Sequence, residues 1–554
     1  MTIHRCTGGS APASIVVMLA MLLVASGCRP SQAPPAAASA AKATAQTRPG
    51  AFSRTQLIED ARELARIIED THPDPYLNGG GRLAFHRRLH RVLNAIPDEG
   101  MTSDEFFRLV RPFVAAVGDM HTGFLRGYTT DAERPGGVPL RLSVVEEFLV
   151  VRGAERGNET YLGAKLLSVE GVPVSGLAAR QRLLQGVDNE YHALQLLAER
   201  SLAFRPYMQD LLPEWKDTTR VRVELQRPDG RVEAIVLKEP GANAVEVKTP
   251  SRVALPEPDR SGFRIAFLRD PSSGRELAYI RFAHMGGYRE TREQREPLVS
   301  LVTRPRSATG EFRKLVADMK ARRTDTLILD VRDNHGGNSL ISEMLVYFLY
   351  GKDELLKMAG VGSGENAPFR LSRLYFEDRP DESLAEINRE RVVPLVEGDY
   401  DFSWSYVDGR PIARLTGPPR EPPIVKFMRL SPTFREEFDA GTYAGYYAPR
   451  RVIVLCNAGT MSAGFSVVAE FDYFGALTVG TPASQAPNSY GAAAVFTLTH
   501  TGLRGMVPMV SATHFADDPS KAQVLPLDHP MTYERLASYR FDPNAEYLYA
   551  LTLK

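Results

Sequence analysis

The sequence predicts an α/β protein in which a buried, largely parallel sheet follows an N-terminal helical region and a smaller β-rich unit. Three observations carry this expectation. Thr326–Val331 and Arg451–Leu455 are unbroken apolar runs of strand length, the pattern of strands covered on both faces. Residues 55–114 repeat apolar side chains at helical spacing. Residues 136–237 hold short β-rich runs separated by glycine and polar turns.

The helices come first. Leu57, Ile58, Ala61, Leu64, Ala65, Ile67 and Ile68 form one apolar stripe, Phe85, Leu89, Val92 and Leu93 a second, and Phe106, Phe107, Leu109, Val110, Phe113 and Val114 a third, capped near Ser103 and stopped at Gly118. The β-rich unit follows, with runs at Leu142–Val145, Phe148–Val151, Val221–Leu225 and Ala234–Leu237 around one helical stretch. A strand at Glu276–Phe282 opens the next unit, and a helix through Phe312, Leu315, Val316 and Met319 leads into Thr326–Val331. Lys352–Tyr447 is rich in Pro, Gly and charge with no long periodic element, and is expected to be an insertion that covers a cleft. Regular structure resumes with Arg451–Leu455, a helix from Ser462 to about Phe474, and strands near Leu477–Val479 and Ala493–Leu498. These breaks divide the chain at 1–28, 29–53, 54–130, 131–245, 246–350, 351–450 and 451–554.

A length of 554 residues exceeds one compact core, so roughly two to four structural units are expected. The hydrophobic share of 43% is ordinary for a folded protein, and Lys+Arg and Asp+Glu both total 67, so no net charge draws the chain to nucleic acid. At the N-terminus, His4 and Arg5 precede an apolar run, Ile15–Val24, too short to span a bilayer. It ends at Ala25-Ser26-Gly27-Cys28, which resembles a bacterial lipobox; this implies an exported chain acylated at Cys28, held at a membrane surface and, with Arg29 rather than aspartate next, sent to the periplasmic face of the outer membrane. Residues 29–53 have the composition of a flexible tether. Cys6 and Cys28 lie in or end the signal, so Cys456 is left with no partner for a disulfide.

Two segments share one physical plan, a buried strand that runs into a turn and then a helix. Leu327-Ile328-Leu329-Asp330-Val331 leads to Arg332-Asp333-Asn334-His335-Gly336-Gly337-Asn338 and the helix Leu340–Leu349, and Val452–Leu455 leads to Cys456-Asn457-Ala458-Gly459-Thr460-Met461-Ser462 and the next helix. Both turns sit at carboxyl ends of strands, where open α/β sheets place their ligands. A serine at a helix start is commonly a plain cap. The same place also suits a nucleophile, because free amides and the helix dipole favour the negative charge of a tetrahedral intermediate. Gly336 and Gly337 let backbone amides approach that charge, so the expected oxyanion hole is Gly336 or Gly337 with Ala463.

Leu327–Asn338, with Asp-x-Arg and Asn-x-Gly-Gly after a hydrophobic strand, resembles peptidase family S41, the tail-specific proteases. Val454–Ala463 is similar to the family's nucleophile segment and Leu477-Thr478-Val479-Gly480-Thr481-Pro482 to the strand and turn after it; Gly118-Asp119-Met120-His121-Thr122 and Pro487-Asn488-Ser489-Tyr490-Gly491 resemble its non-processing, tricorn-like branch. The resemblance implies a crotonase-like ββα-superhelix protease core, and Gly163–Val174 resembles the strand and turn of a PDZ domain, which adds an extended peptide to a sheet edge. It implies a serine peptidase acting on peptides or proteins, with Ser462 as nucleophile and no cofactor. The processing branch uses a lysine base about twenty-five residues later, but no lysine occurs between Ser462 and Lys521; His121 is therefore the expected base. For the third, acidic group the choice among Asp517, Asp518 and Asp528 stays open.

Departures from the family pattern are Met120 for glycine, Gly464 for an acid, Ala483-Ser484 for Thr-Gly-Gly, and His335 in the turn. They leave two alternatives: a peptide-binding lipoprotein that has lost turnover, or a hydrolase of non-peptide esters or amides. The first glycine of Gly459–Gly464 stands one place too early for a G-x-S-x-G elbow, which disfavours an ordinary α/β-hydrolase. His86 and His90 share a helix face without the glutamate of H-E-x-x-H, so no metal site is indicated.

Overall fold

The computed structural model describes residues 50–125, 136–238, 246–259, 262–295, 305–361, 367–380, 382–403, 406–407, 410–411, 423–515 and 518–553. Cys28, the signal and nearly all of the tether lie outside the described residues, as does Asp517. Among the described residues no helix is long and apolar enough to cross a membrane.

A six-stranded sheet forms the centre, in the order His529–Pro530, Leu477–Gly480, Arg451–Cys456, Thr326–Asp330, Glu276–Phe282, Phe263–Arg269. All neighbours pair in parallel except the edge strand Phe263–Arg269. The apolar runs are continuous because alternate side chains enter two different cores. Leu327, Leu329, Val452 and Val454 face the helices Ala308–Arg322, Leu340–Tyr350 and Ala463–Tyr473. Ile328, Ile453, Leu455 and Val479 face Tyr547 and Ala550 of the helix Ala545–Ala550. The register aligns Asp330 with Leu455, so both strands deliver their turns at the same level.

The three N-terminal helices span Arg54–Thr71, Arg82–Ala95 and Ser103–Ala115. Capping boxes fix two starts: Ser53 with Gln56, and Thr102 with Glu105, so the third helix is capped by Thr102, one residue before the expected Ser103. Their core includes Phe496, Leu498, Leu503 and Val507. These belong to a long antiparallel hairpin, Asn488–Thr497 with Arg504–Thr513, of which the sequence reading had only the first strand, in part.

The middle unit is an antiparallel sheet in the order Leu140–Val145, Phe148–Glu155, Lys165–Val169, Arg220–Gln226, Val232–Lys238. Alternation is clean in Arg220–Gln226, where Val221, Val223 and Leu225 point into the core. The single helical stretch expected here is instead several: Val174–Leu184, Glu190–Leu196 continued by a π turn to Ser201, and Arg205–Leu211.

The expected insertion is more regular than its composition indicates. It holds the helices Lys352–Val361, Arg373–Asp378, Leu384–Asn388, Pro423–Arg429 and Pro432–Ala440. Phe434 and Phe438, one turn apart, pack with Tyr347 and Phe348 in the main core, and Phe369 pairs with Val510 of the long hairpin. Helices of five to ten residues among prolines carry too few turns for a visible period.

Candidate active site

Asp330 ends its strand with no exposure to solvent and accepts hydrogen bonds from Tyr279 Oη (2.8 Å), Arg281 Nη1 (2.9 Å), Arg332 Nε (2.9 Å) and Arg332 Nη2 (2.7 Å). Burial alone would raise the pKa of this carboxyl, but Arg281 and Arg332 outweigh it and hold it far below the usual range. Arg332 also donates to Glu546 (2.9 Å). The Asp-x-Arg element therefore acts as a buried ionic pin that fixes the strand end from which the glycine turn departs.

The two turns are stitched to each other. Thr460 Oγ1 donates to Val331 O (2.8 Å), Met461 N to Asn334 O (2.9 Å), and Asp333 N to Asn457 Oδ1 (2.8 Å). Gly464 follows from this closeness, since a Cβ there would meet Asn334 O at 2.5 Å. The acid commonly found at that position in the family has no room.

Ser462 adopts φ 51° and ψ −130°, a conformation that costs a non-glycine residue of order 1–3 kcal/mol. It occupies the N-cap position of Ala463–Tyr473, yet its side chain makes no capping hydrogen bond. The hydroxyl is thus turned away from the role that would make it ordinary. Its backbone N–H is held by Gln485 Oε1 (3.1 Å).

Gly336 and Gly337, at φ 95° and 141°, bring the first turn against this serine; a Cβ on Gly336 would lie 2.6 Å from Ser462 Cβ and 2.9 Å from Ala463 N. The hydrogen bonds separate the candidate amides. Gly336 N already donates to Asn334 Oδ1 (2.8 Å), whereas among the described residues no acceptor is bonded to Gly337 N or Ala463 N. Those two remain available to an oxyanion, and Gly336 serves as the bend between them.

His121 follows the third helix on the loop 118–122. Asp119, 2% exposed, accepts from His121 N (2.8 Å) and from His72 Nε2 (3.1 Å), while Asp74 N donates to His72 Nδ1 (3.0 Å) and so assigns the His72 proton to Nε2. Burial pushes the His121 pKa below its ordinary value, against the opposing effects of the Asp119 charge and a hydrogen bond to the Tyr490 backbone carbonyl. The ring is therefore neutral at pH 7, and among the described residues its buried Nδ1 meets no hydrogen-bond partner. Gln485, which holds the Ser462 amide, and Tyr490, whose backbone raises the His121 pKa, lie on one short segment that borders both residues.

Neither acidic candidate joins this support. Asp528 Oδ2 accepts from Thr478 N (2.9 Å) and Thr478 Oγ1 (3.0 Å), which ties it to the strand Leu477–Gly480. Asp518 accepts from Ser520 N (3.2 Å) in its own turn. The carboxylates beside the histidine loop are Asp119 and Asp188, whose Oδ1 accepts from Met120 N (2.8 Å). Asp188 and Gln485 had no signal in the sequence, because the contacts that give them meaning span 68 and 23 residues. Cys456 is fully buried, and burial drives its thiol up to about 12, so it packs and does not compete as a nucleophile. His335 is half exposed, with Nε2 3.8 Å from Glu199.

A doubly covered parallel sheet, two strand-end turns and a strained, uncapped serine at a helix start define an α/β scaffold with one candidate site at the carboxyl ends of its strands. The sequence model of peptidase family S41 matches residues 276–490. No curated protein matches the chain in sequence. Among solved structures, mature CPAF is 15% identical with a TM-score of 0.54, covering 89% of this chain and 96% of that one. Mature CPAF complexed with lactacystin is 14% identical with a TM-score of 0.53, covering 90% and 97%. At these identities the likeness is one of fold.

Proposed function

We propose that the protein is a serine peptidase of the bacterial cell envelope, tethered through Cys28, with Ser462 as nucleophile, His121 as base, and Gly337 N and Ala463 N as the oxyanion hole. The observation that carries this reading is the backbone of Ser462: a strained, left-handed serine that declines its helix cap beside two unengaged amides. In the proposed cycle His121, neutral because it is buried, takes the Ser462 proton as Oγ attacks the scissile carbonyl. The two amides hold the oxyanion, His121 passes the proton to the departing amine, and water released to the same site hydrolyses the acyl-enzyme. Asp119 orients the histidine through its backbone and contributes a negative field that favours the imidazolium as it forms. The middle unit, read as PDZ-like, presents an extended peptide to the cleft.

The test uses protein lacking residues 1–28. A serine-directed phosphonate should label the wild type and spare Ser462→Ala, and a peptide library should be cleaved by the first alone. Equal labelling of both refutes the assignment; binding of peptides without cleavage by the wild type favours a peptide-binding relative that has lost turnover.

A further inference from the structure

The loop that bears His121 leaves the third helix at Ala115 and joins a sheet only at Gly123–Phe124, so something other than a sheet must hold residues 118–122. Asp119 braces the loop from within. The external brace comes from the middle unit, at the junction of Val174–Leu184 and Glu190–Leu196. Asp188, 9% exposed, spends each carboxylate oxygen on a different segment: Oδ1 accepts from Met120 N (2.8 Å) and Oδ2 from Ala486 N (3.2 Å). Asn189, 6% exposed, accepts from His192 N (3.0 Å) to cap its own helix, and its Nδ2 donates to Ala483 O (3.1 Å) and Gln523 O (3.0 Å). Gly186 completes the contact, since a Cβ there would fall 2.3 Å from Asp119 O.

We infer that Asp188 and Asn189 are a positioning pair through which the middle unit sets the distance between base and nucleophile. The inference rests on the reading of Ser462 and His121 as the reacting pair. Its logic is geometric. Met120 is the residue before His121, and Ala486 is the residue after Gln485, which grips the Ser462 amide, so one carboxylate spans the two supports. The two amides meet different oxygens of the carboxylate, and asparagine keeps only one of them. Asp188→Asn would turn an NH2 group toward one of them and open the span. The titratable groups facing Asp188 are Asp119 on the base loop, Tyr490 on the long hairpin, and His192, whose Nδ1 accepts from Asp188 N (3.4 Å). None of these supplies a cation that would hold the carboxylate in place of the amides.

The test compares wild type, Asp188→Asn, Asp188→Glu and Asn189→Ala in the protein lacking residues 1–28. Misplacement on the order of 1 Å costs about 100-fold in rate. Asp188→Asn should therefore lower kcat, and the rate of phosphonate labelling at Ser462, by about that factor with KM changed less than roughly threefold, while Asp188→Glu, with two acceptor oxygens, recovers at least about tenfold. Hydrogen exchange at Met120 and Ala486 should accelerate in Asp188→Asn, and exchange across residues 483–486 in Asn189→Ala. Wild-type kcat together with wild-type exchange at those amides in Asp188→Asn overturns the inference. If Asp188→Asn fails to fold, Asn189→Ala decides it by the same two readouts. Should the wild type itself resist labelling, the peptidase reading falls, while the exchange comparison still judges the brace.

Discussion

Gly336→Ala tests whether the glycine turn and Ser462 form one reacting surface. Two costs can be worked out separately. Alanine at φ 95° pays the left-handed penalty of about 1–2 kcal/mol wherever it occurs. The new methyl would also stand 2.6 Å from Ser462 Cβ, and ordinary contact begins near 3.4 Å, so the turn and the serine must part by about 0.8 Å. Separation on that scale carries Gly337 N away from the developing oxyanion and should lower kcat/KM by about 100-fold, equivalent to about 2.7 kcal/mol of barrier. Gly171→Ala is the control: its φ is 78° with nothing within 4 Å of the new Cβ, so it shares the backbone penalty without the contact. Steady-state hydrolysis, phosphonate labelling and thermal denaturation of both variants separate the two effects. A Gly336→Ala enzyme that folds and turns over like Gly171→Ala would refute the placement of this turn at the reacting atoms.

Removing the charge of the buried pin with Asp330→Asn takes the carboxylate from Arg281 and leaves Arg332 with Glu546 alone, and urea denaturation should show a loss of about 3–5 kcal/mol, with a loss under about 1 kcal/mol counting against the pin. The pH profile has a worked sign: burial lowers the His121 pKa below 6.5, so kcat/KM should climb with pH through a midpoint on the acid side of 6.5 and be flat near neutrality; a midpoint above 7 would contradict a buried neutral base. Asp188 titrates the other way, since burial and then Asp119 push it up to about 7, so folding takes up a proton there. Its stability contribution is complete below about pH 4 and is lost as pH rises to about 7, so wild type should weaken relative to Asp188→Asn between about pH 4 and 7 and run level with a constant offset above that in denaturant titrations.

What was legible in the chain follows from the range of the physics involved. The strands Thr326–Asp330 and Arg451–Cys456 announce themselves because both faces of each are apolar, and the turns after them because glycine and asparagine are needed where backbone must bend sharply. The serine and the diglycine bend were readable for the same local reason. Choosing Gly337 over Gly336 was not, because it depends on the Asn334 side chain occupying one amide and leaving the next. The sequence places the candidate acids toward the C-terminus, whereas the carboxylates beside the His121 loop are Asp119, two residues away in the chain, and Asp188, whose two contacts span 68 and 298 residues. Proline-broken helices such as Pro432–Ala440 escaped notice because two turns hold only one apolar repeat, Phe434 with Phe438.

The hairpin of Asn488–Thr497 and Arg504–Thr513 has a further consequence. One end carries Tyr490, packed on His72 with ring centroids 4.3 Å apart, and the other buries Phe496 and Leu498 among the first three helices. Gly123–Phe124, two residues beyond His121, zips onto its turn end through Met506 and Gly505. A truncation that begins at the peptidase-family segment would strip the plank of its bearing and leave the histidine behind with the discarded piece. The leading helices are masonry around the proposed reacting pair, and on that reading a minimal active fragment is expected to start upstream of Arg54.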